Sequence, residues 1–256
     1  MLLGLAAVAP LSLFFLQEWR IAGAPGFPLD DSWIHLHFAR NLAEGAGFSY
    51  NPGRAVAGST APFWTLLIAA GVAVGGNPIW VAKTLGAATT LASALLARRL
   101  AVALSGEGSL GLLAGLGTLL LGRMTWGALS GMEVGLAAML VTAALLAHVS
   151  EREWVAAALA GLAVLARPEA LLLVPLLLIA RSVTPARVFR FLGIVALLVA
   201  PAVAFNLATV GAPVPATAAA KIEGGLLGLL TGAREEWALA LVRHPKGTVL
   251  IDSAFG

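Results

Sequence analysis

The sequence contains no cysteine, a single tyrosine and only four histidines among its 256 residues. With no cysteine there is no disulfide framework to read, and the redox compartment is left unmarked. Charge is also scarce: 11% of residues are Asp, Glu, Lys or Arg, against roughly 25% in soluble domains. The few charges are segregated. Residues 2–17, 55–82, 84–97, 108–122 and 191–220 carry none at all. Such composition excludes an ordinary soluble globule. Nor is there the alternation of apolar and polar residues that marks a membrane β-barrel. The basic pI of about 10.0 rests on a net charge of only +3. The basic residues are scattered without interleaved aromatics, which excludes a nucleic-acid surface. No phosphate-cradling glycine loop of the P-loop or dinucleotide kind occurs.

What is present is leucine, alanine and glycine in long blocks. A bilayer-crossing helix needs about 20 mostly apolar residues, and candidate spans fall near 2–18, 79–97, 108–122, 130–148, 154–166, 168–181 and 189–208. The expected fold is therefore all-α, a polytopic transmembrane helical bundle. The first segment lacks a basic leader and reads as a first membrane helix, with a cleavable signal peptide as the alternative. Arg98, Arg99, Arg152, Arg181, Arg187 and Arg190 lie in or beside short connections. Placing them on the cytoplasmic side puts the loop at about 19–60 outside. The turns "RMTWGALSGME" and "ARPEA" and the stretch from about 210 to 256 then also face outside. Residues 61–75 are short for a span and read as a re-entrant or interfacial helix. The segments at 154–166 and 168–181 are short as well, and read as a hairpin with Arg167, Pro168 and Glu169 at its tip.

The first external loop holds "LDDSWIHLHFARNLAEG". Asp30 suits the N-cap of a helix beginning at Asp31, and Ile34, Phe38 and Leu42 form one apolar stripe. This predicts an amphipathic helix lying at the membrane surface. The acids have two readings. They are a cap and a dipole partner, or they are a site, because acids are costly at a membrane boundary. His35 and His37 read as polar residues of the interface. Together with Asp30 and Asp31 they leave a divalent metal open, without metal-specific spacing.

The loop also resembles that of a known family. Asp30-Asp31-Ser32-Trp33-Ile34, Phe38-Ala39-Arg40-Asn41, Asn51-Pro52-Gly53 and Thr60-Ala61-Pro62-Phe63-Trp64 look like the first external loop of polytopic glycosyltransferases of the GT-C type. These include bacterial relatives of protein O-mannosyltransferases, aminoarabinose transferases and arabinofuranosyltransferases. "SGME" at 130–133, "ARPEA" at 166–170 and a degraded "PVPATAAAK" at 213–221 follow in the same order. The resemblance covers most of residues 1–221. It implies a transmembrane module over 1–209 in the bacterial inner membrane, with its site on the external face. It further implies an inverting transfer of sugar from a polyprenyl-phosphate donor to a glycan, lipid or protein acceptor. Members usually carry further spans or an external domain, so the resemblance also implies chain beyond Gly256.

Such a reaction needs a carboxylate to take the acceptor's proton and cations for the departing phosphate. The resemblance assigns the base to Asp30, with Asp31 orienting the acceptor, the helix or a water. Candidate phosphate partners are Lys221, Arg167, Lys83 and, less directly, Arg123. Lys83 has the alternative of snorkelling from a helix end, and Arg167 that of pairing with Glu169. Glu133 either contacts the sugar or serves as a first-turn acid for the next helix. Trp33 and Trp64 flank the loop as sugar platforms or membrane anchors, and Thr60 belongs to the same substrate-facing motif. The competing classes are a transporter or lipid flippase, which predicts internal repeats not found here, and a non-catalytic membrane subunit of the same fold.

Overall fold

Asn77 and Thr184 begin the two longest helices of this chain, and both do so in the same way. Each side chain accepts a backbone N–H from the first turn, and each is followed by a proline at the first helical position, where the missing N–H costs nothing. Each helix ends at a glycine with positive φ, Gly106 or Gly211, the usual left-handed terminator. The computed structural model describes residues 2–215. In chain order the helices are α1 (Leu2–Ala22), α2 (Asp30–Ala43), α3 (Pro62–Ala73), α4 (Pro78–Ser105), α5 (Gly108–Leu120), α6 (Gly122–Leu129), α7 (Val134–Val149), α8 (Glu153–Ala166), α9 (Leu173–Ile179) and α10 (Pro185–Val210). A 3-10 turn over Pro168–Leu172 links α8 to α9. Among the described residues there is no strand, only an isolated bridge between Ser49 and Ala55. The all-helical expectation holds.

Helices α1, α4 and α10 are long and apolar enough to cross a membrane. Helices α5 and α6 pass the same test only as a pair, and they are bent by 54° at their junction. The stretch expected as the turn "RMTWGALSGME" is thus mostly helix α6, and only Ser130–Glu133 remains a turn. Helix α3 has 12 residues and rises about 18 Å. That is short of the roughly 30 Å of a hydrocarbon core, in keeping with the expected short segment. Helices α8 and α9 break at the extended residue Arg167.

Helix α4 is the centre of the molecule. It packs against α5, α6 and α7, α7 packs against α8, and α8 against α10. Small residues allow this closeness. Gly86 lies directly against the Ala128 carbonyl, and Gly135 faces the hydroxyls of Thr89 and Thr90. Helices α2 and α3 pack on each other at one end of this stack, where Trp64 and Ile68 are wholly buried.

The two ends of the stack differ chemically. At one end Arg187 pairs with Glu153, and Arg181 donates to the His148 carbonyl at 2.7 Å. Arg98 and Arg99 lie toward the C-terminal end of α4. The other end holds Glu18, Lys83, Glu133 and Arg167. Lys83 and Arg98 are about 22 Å apart by helical rise along α4, and Glu133 and His148 are about equally far apart along α7.

Candidate functional site

Helix α2 begins at Asp30, one residue earlier than expected. Leu29 holds the N-cap position, and no side chain caps the helix. Asp30 is therefore not the capping residue. Both acids lie in the first turn, where negative charge favours the helix dipole. Asp30 is exposed and Asp31 half-buried.

The inward face of α2 starts at Ser32, whose hydroxyl donates to the Ser130 carbonyl at 2.7 Å. One turn further is His35, only 2% exposed. Leu36 and Ala39 continue the same buried face. His35 is therefore a buried residue and not the interfacial one that was expected. Its Nδ1 lies 3.0 Å from Ser59 Oγ, which in turn lies 2.9 Å from Thr65 Oγ1. Thr65 Oγ1 is itself 3.4 Å from Nδ1. Hydroxyls able to donate at Nδ1 suit a ring proton on Nε2. Nε2 faces Glu133 Oε2 at 3.6 Å. His37 points elsewhere, stacking on Tyr50 and lying 2.8 Å from the Tyr50 carbonyl through Nε2.

Glu133 occupies the N-cap position of α7 but makes no capping hydrogen bond. It is 2% exposed. Its Oε1 pairs with Arg167 Nε at 3.0 Å, while Glu169 Oε2 is 3.9 Å from the same nitrogen. Arg167 thus belongs to Glu133 more than to Glu169, its expected partner. Burial pushes the Glu133 carboxyl above its ordinary range. A backbone hydrogen bond and Arg167 work against that, and Asp31 and Glu169 add to it.

The turn that carries Glu133 is held from several sides. Trp64 donates its indole N–H to the Gly131 carbonyl at 2.8 Å. Gly131 has φ +82°, and a Cβ there would collide with the Phe27 ring. Lys83 donates to Glu18 Oε2 at 2.7 Å and to the Leu129 carbonyl at 2.8 Å, and it lies over the Phe27 ring at 5.1 Å. Glu18 Oε1 accepts the Gly26 N–H at 2.7 Å. Lys83 is 3% exposed, so it neither snorkels nor offers a donor to a ligand at the surface. Its ammonium instead ties α1, the 23–29 segment and the end of α6 to α4.

The remaining expected site residues fall around this centre. Trp33 is exposed, with its indole N–H donating to the Phe27 carbonyl and its ring edge-on to Phe27. Trp64 is fully buried, so it is a packing residue and not a sugar platform. Thr60 is half-buried in the loop before α3, Glu169 is exposed beside Arg167, and Arg123 is exposed on α6. Lys221 and the match at 213–221 beyond Pro215 lie outside the described residues. Among the described residues no group of three or more His, Asp or Glu is arranged to hold a metal ion.

Sequence reasoning passed over Ser59 and Thr65 and misplaced His35 at the interface. The signal was present in the register of α2. Ser32, His35, Leu36 and Ala39 recur at helical spacing, and a polar residue on a buried helix face is the informative exception. No protein-family model, curated protein or solved structure matches the chain.

Proposed function

We propose that the protein is an integral membrane glycosyltransferase of the GT-C kind, moving a sugar from a polyprenyl phosphate to an acceptor outside the cytoplasm. One observation supports this above the others. Motifs at residues 30–34, 60–64, 130–133 and 166–170, far apart in the chain, meet in one locus through Ser32–Ser130, Trp64–Gly131 and Glu133–Arg167. These are the motifs that carry the resemblance. Arg181 and Arg187, assigned to the cytoplasmic side, lie at the opposite end of the stack, which supports the reading of a site on the external face.

The chemistry asks little of the protein beyond positioning. The acceptor hydroxyl gives its proton to Asp30 as its oxygen forms the new bond to the anomeric carbon. The bond from that carbon to the phosphate oxygen breaks at the opposite face, so the configuration inverts. The departing polyprenyl phosphate gains negative charge, which the partly exposed Arg167 guanidinium stabilises. Asp30 suits the base because it is exposed at the end of a rigid helix. Asp31, half-buried and within electrostatic reach of Glu133, orients the acceptor. Apolar flanks of α1 and α10 supply a surface for the lipid tail.

The test is release of free polyprenyl phosphate from a panel of polyprenyl-phosphate sugars, using the full reading frame in nanodiscs. One donor should turn over, and Asp30→Asn should lower its rate about 100-fold or more. Turnover untouched by Asp30→Asn removes Asp30 from the role of base. A transporter would instead move substrate across sealed vesicles without releasing the phosphate.

A further inference from the structure

A buried acid beside a buried imidazole, with an arginine leading out to the surface, is more than a fold contact. Glu133 and His35 are each 2% exposed. A carboxylate with this little solvent needs strong partners. One of its oxygens has Arg167 Nε at 3.0 Å, and the other faces His35 Nε2 at 3.6 Å. Oε2 accepts no hydrogen bond among the described residues. The hydroxyls of Ser59 and Thr65 fix the ring of His35 from its far side. Arg167 itself is 45% exposed, and its ion pairs with Glu133 and Glu169 both run through Nε. The guanidinium is thus gripped at Nε from inside and open at its two-pronged end. That end matches the paired oxygens of a phosphate.

We propose that His35 and Glu133 form a positioning pair that holds Arg167 with its open fork toward a lipid-linked phosphate. Neither residue touches the ligand. His35 fixes Glu133, Glu133 fixes Arg167, and Arg167 binds the anion. Asp31 and Glu169 are the other acids acting on Glu133; Glu169, 3.9 Å from Arg167 Nε, disfavours any ligand that brings too much negative charge. The identity of the ligand as a polyprenyl phosphate rests on the proposed transferase reading. The positioning pair does not.

The sign of one substitution separates positioning from simple electrostatics. Glu133→Gln removes a negative charge beside Arg167, so charge alone would make an anion bind more tightly. Positioning requires the opposite. The experiment titrates the full chain in nanodiscs with decaprenyl phosphate and, separately, with dodecyl phosphate, following tryptophan fluorescence at pH 7.5. Arg167→Gln and Glu133→Gln should each weaken binding about tenfold, and the double variant should be no weaker than Arg167→Gln alone, because both changes remove one interaction. His35→Asn, too short to reach Glu133, should weaken binding several-fold, while His35→Gln restores an N–H near the place of Nε2 and should stay close to wild type. These histidine variants keep the test in force should Glu133→Gln fail to fold. Tighter binding by Glu133→Gln, additive losses, or equal losses in both His35 variants overturn the proposal, as does failure of the wild type to bind either probe. If dodecyl phosphate binds as well as decaprenyl phosphate with the same pattern of losses, the positioning pair stands and the polyprenyl reading falls.

Discussion

Trp64 donates its indole N–H to the carbonyl of Gly131 at 2.8 Å, inside a core that excludes water from the whole side chain. This bond joins the start of α3 to the turn that carries Glu133. Gly131 has positive φ and lies against Phe27, so its peptide has little freedom to find another donor. Trp64→Phe keeps most of the apolar volume but strands a buried carbonyl, which costs about 1–3 kcal/mol. We expect a lower thermal midpoint in detergent together with reduced turnover, since the Glu133 turn loses its fixed position. Unchanged stability would mean that another group satisfies the Gly131 carbonyl.

The Glu18–Lys83 pair is the second fastening of the same region. Lys83 is buried and Glu18 partly so, so removing Lys83 leaves an acid short of both partner and water, which costs up to about 3–5 kcal/mol. Lys83→Met should therefore be strongly destabilising. Glu18→Gln added to Lys83→Met should recover part of the loss, because no unpaired charge remains. Chemical denaturation in mixed micelles measures both. Equal stability of the single and double variants would show that Glu18 is solvated well enough to stand alone.

Gly86 sits where α4 crosses α6, directly against the Ala128 carbonyl. Any side chain there forces the two helices apart. Overpacking of this kind costs roughly 1–3 kcal/mol, and more for a branched residue against backbone. Gly86→Val should lower the thermal midpoint well below that of Gly193→Val on α10, where a Cβ meets nothing within 4 Å. Similar midpoints for the two variants would refute the close crossing.

The buried Glu133 also gives stability a pH dependence. Its carboxyl holds its proton more tightly in the folded protein than in the unfolded chain, where the ordinary value of 4.5 applies. Between those two values the folded state binds more protons. Stability contributed by this group is therefore lost as pH rises from about 4.5 through the folded-state value. Subtracting the pH profile of Glu133→Gln from that of the wild type isolates this contribution. The difference should decline with rising pH over that window, and a flat or rising difference would count against the burial of this acid.

The candidate site was readable in part. Asp30, Asp31, Glu133 and Arg167 stood out because acids and arginines are rare beside such apolar runs. Their roles were less readable. Lys83 looks like any lysine one turn inside an apolar helix, and only the approach of Glu18 on α1 makes it a buried pair. Trp64 looks like an interface anchor until α2 and the Ser130–Glu133 turn enclose it. For Arg167 the local alternative was Glu169, two residues away, yet its nearer neighbour is Glu133 in the turn before α7. Pairings across a fold are set by packing, and local spacing does not reveal them.

By itself the sequence determined the all-helical architecture and the places of α1, α4 and α10, whereas the expected spans at 130–148, 154–166 and 168–181 are helices too short to cross a membrane alone. Those properties follow from the composition of continuous segments, which each segment carries with it. The tertiary structure decided which polar residues are withdrawn from solvent. His35 became the inner neighbour of Glu133 because α2 turns its Ser32–Ala39 face onto α3 and the Ser130–Glu133 turn. A buried acid needs partners drawn from whatever elements surround it, and only the assembled helices supply them.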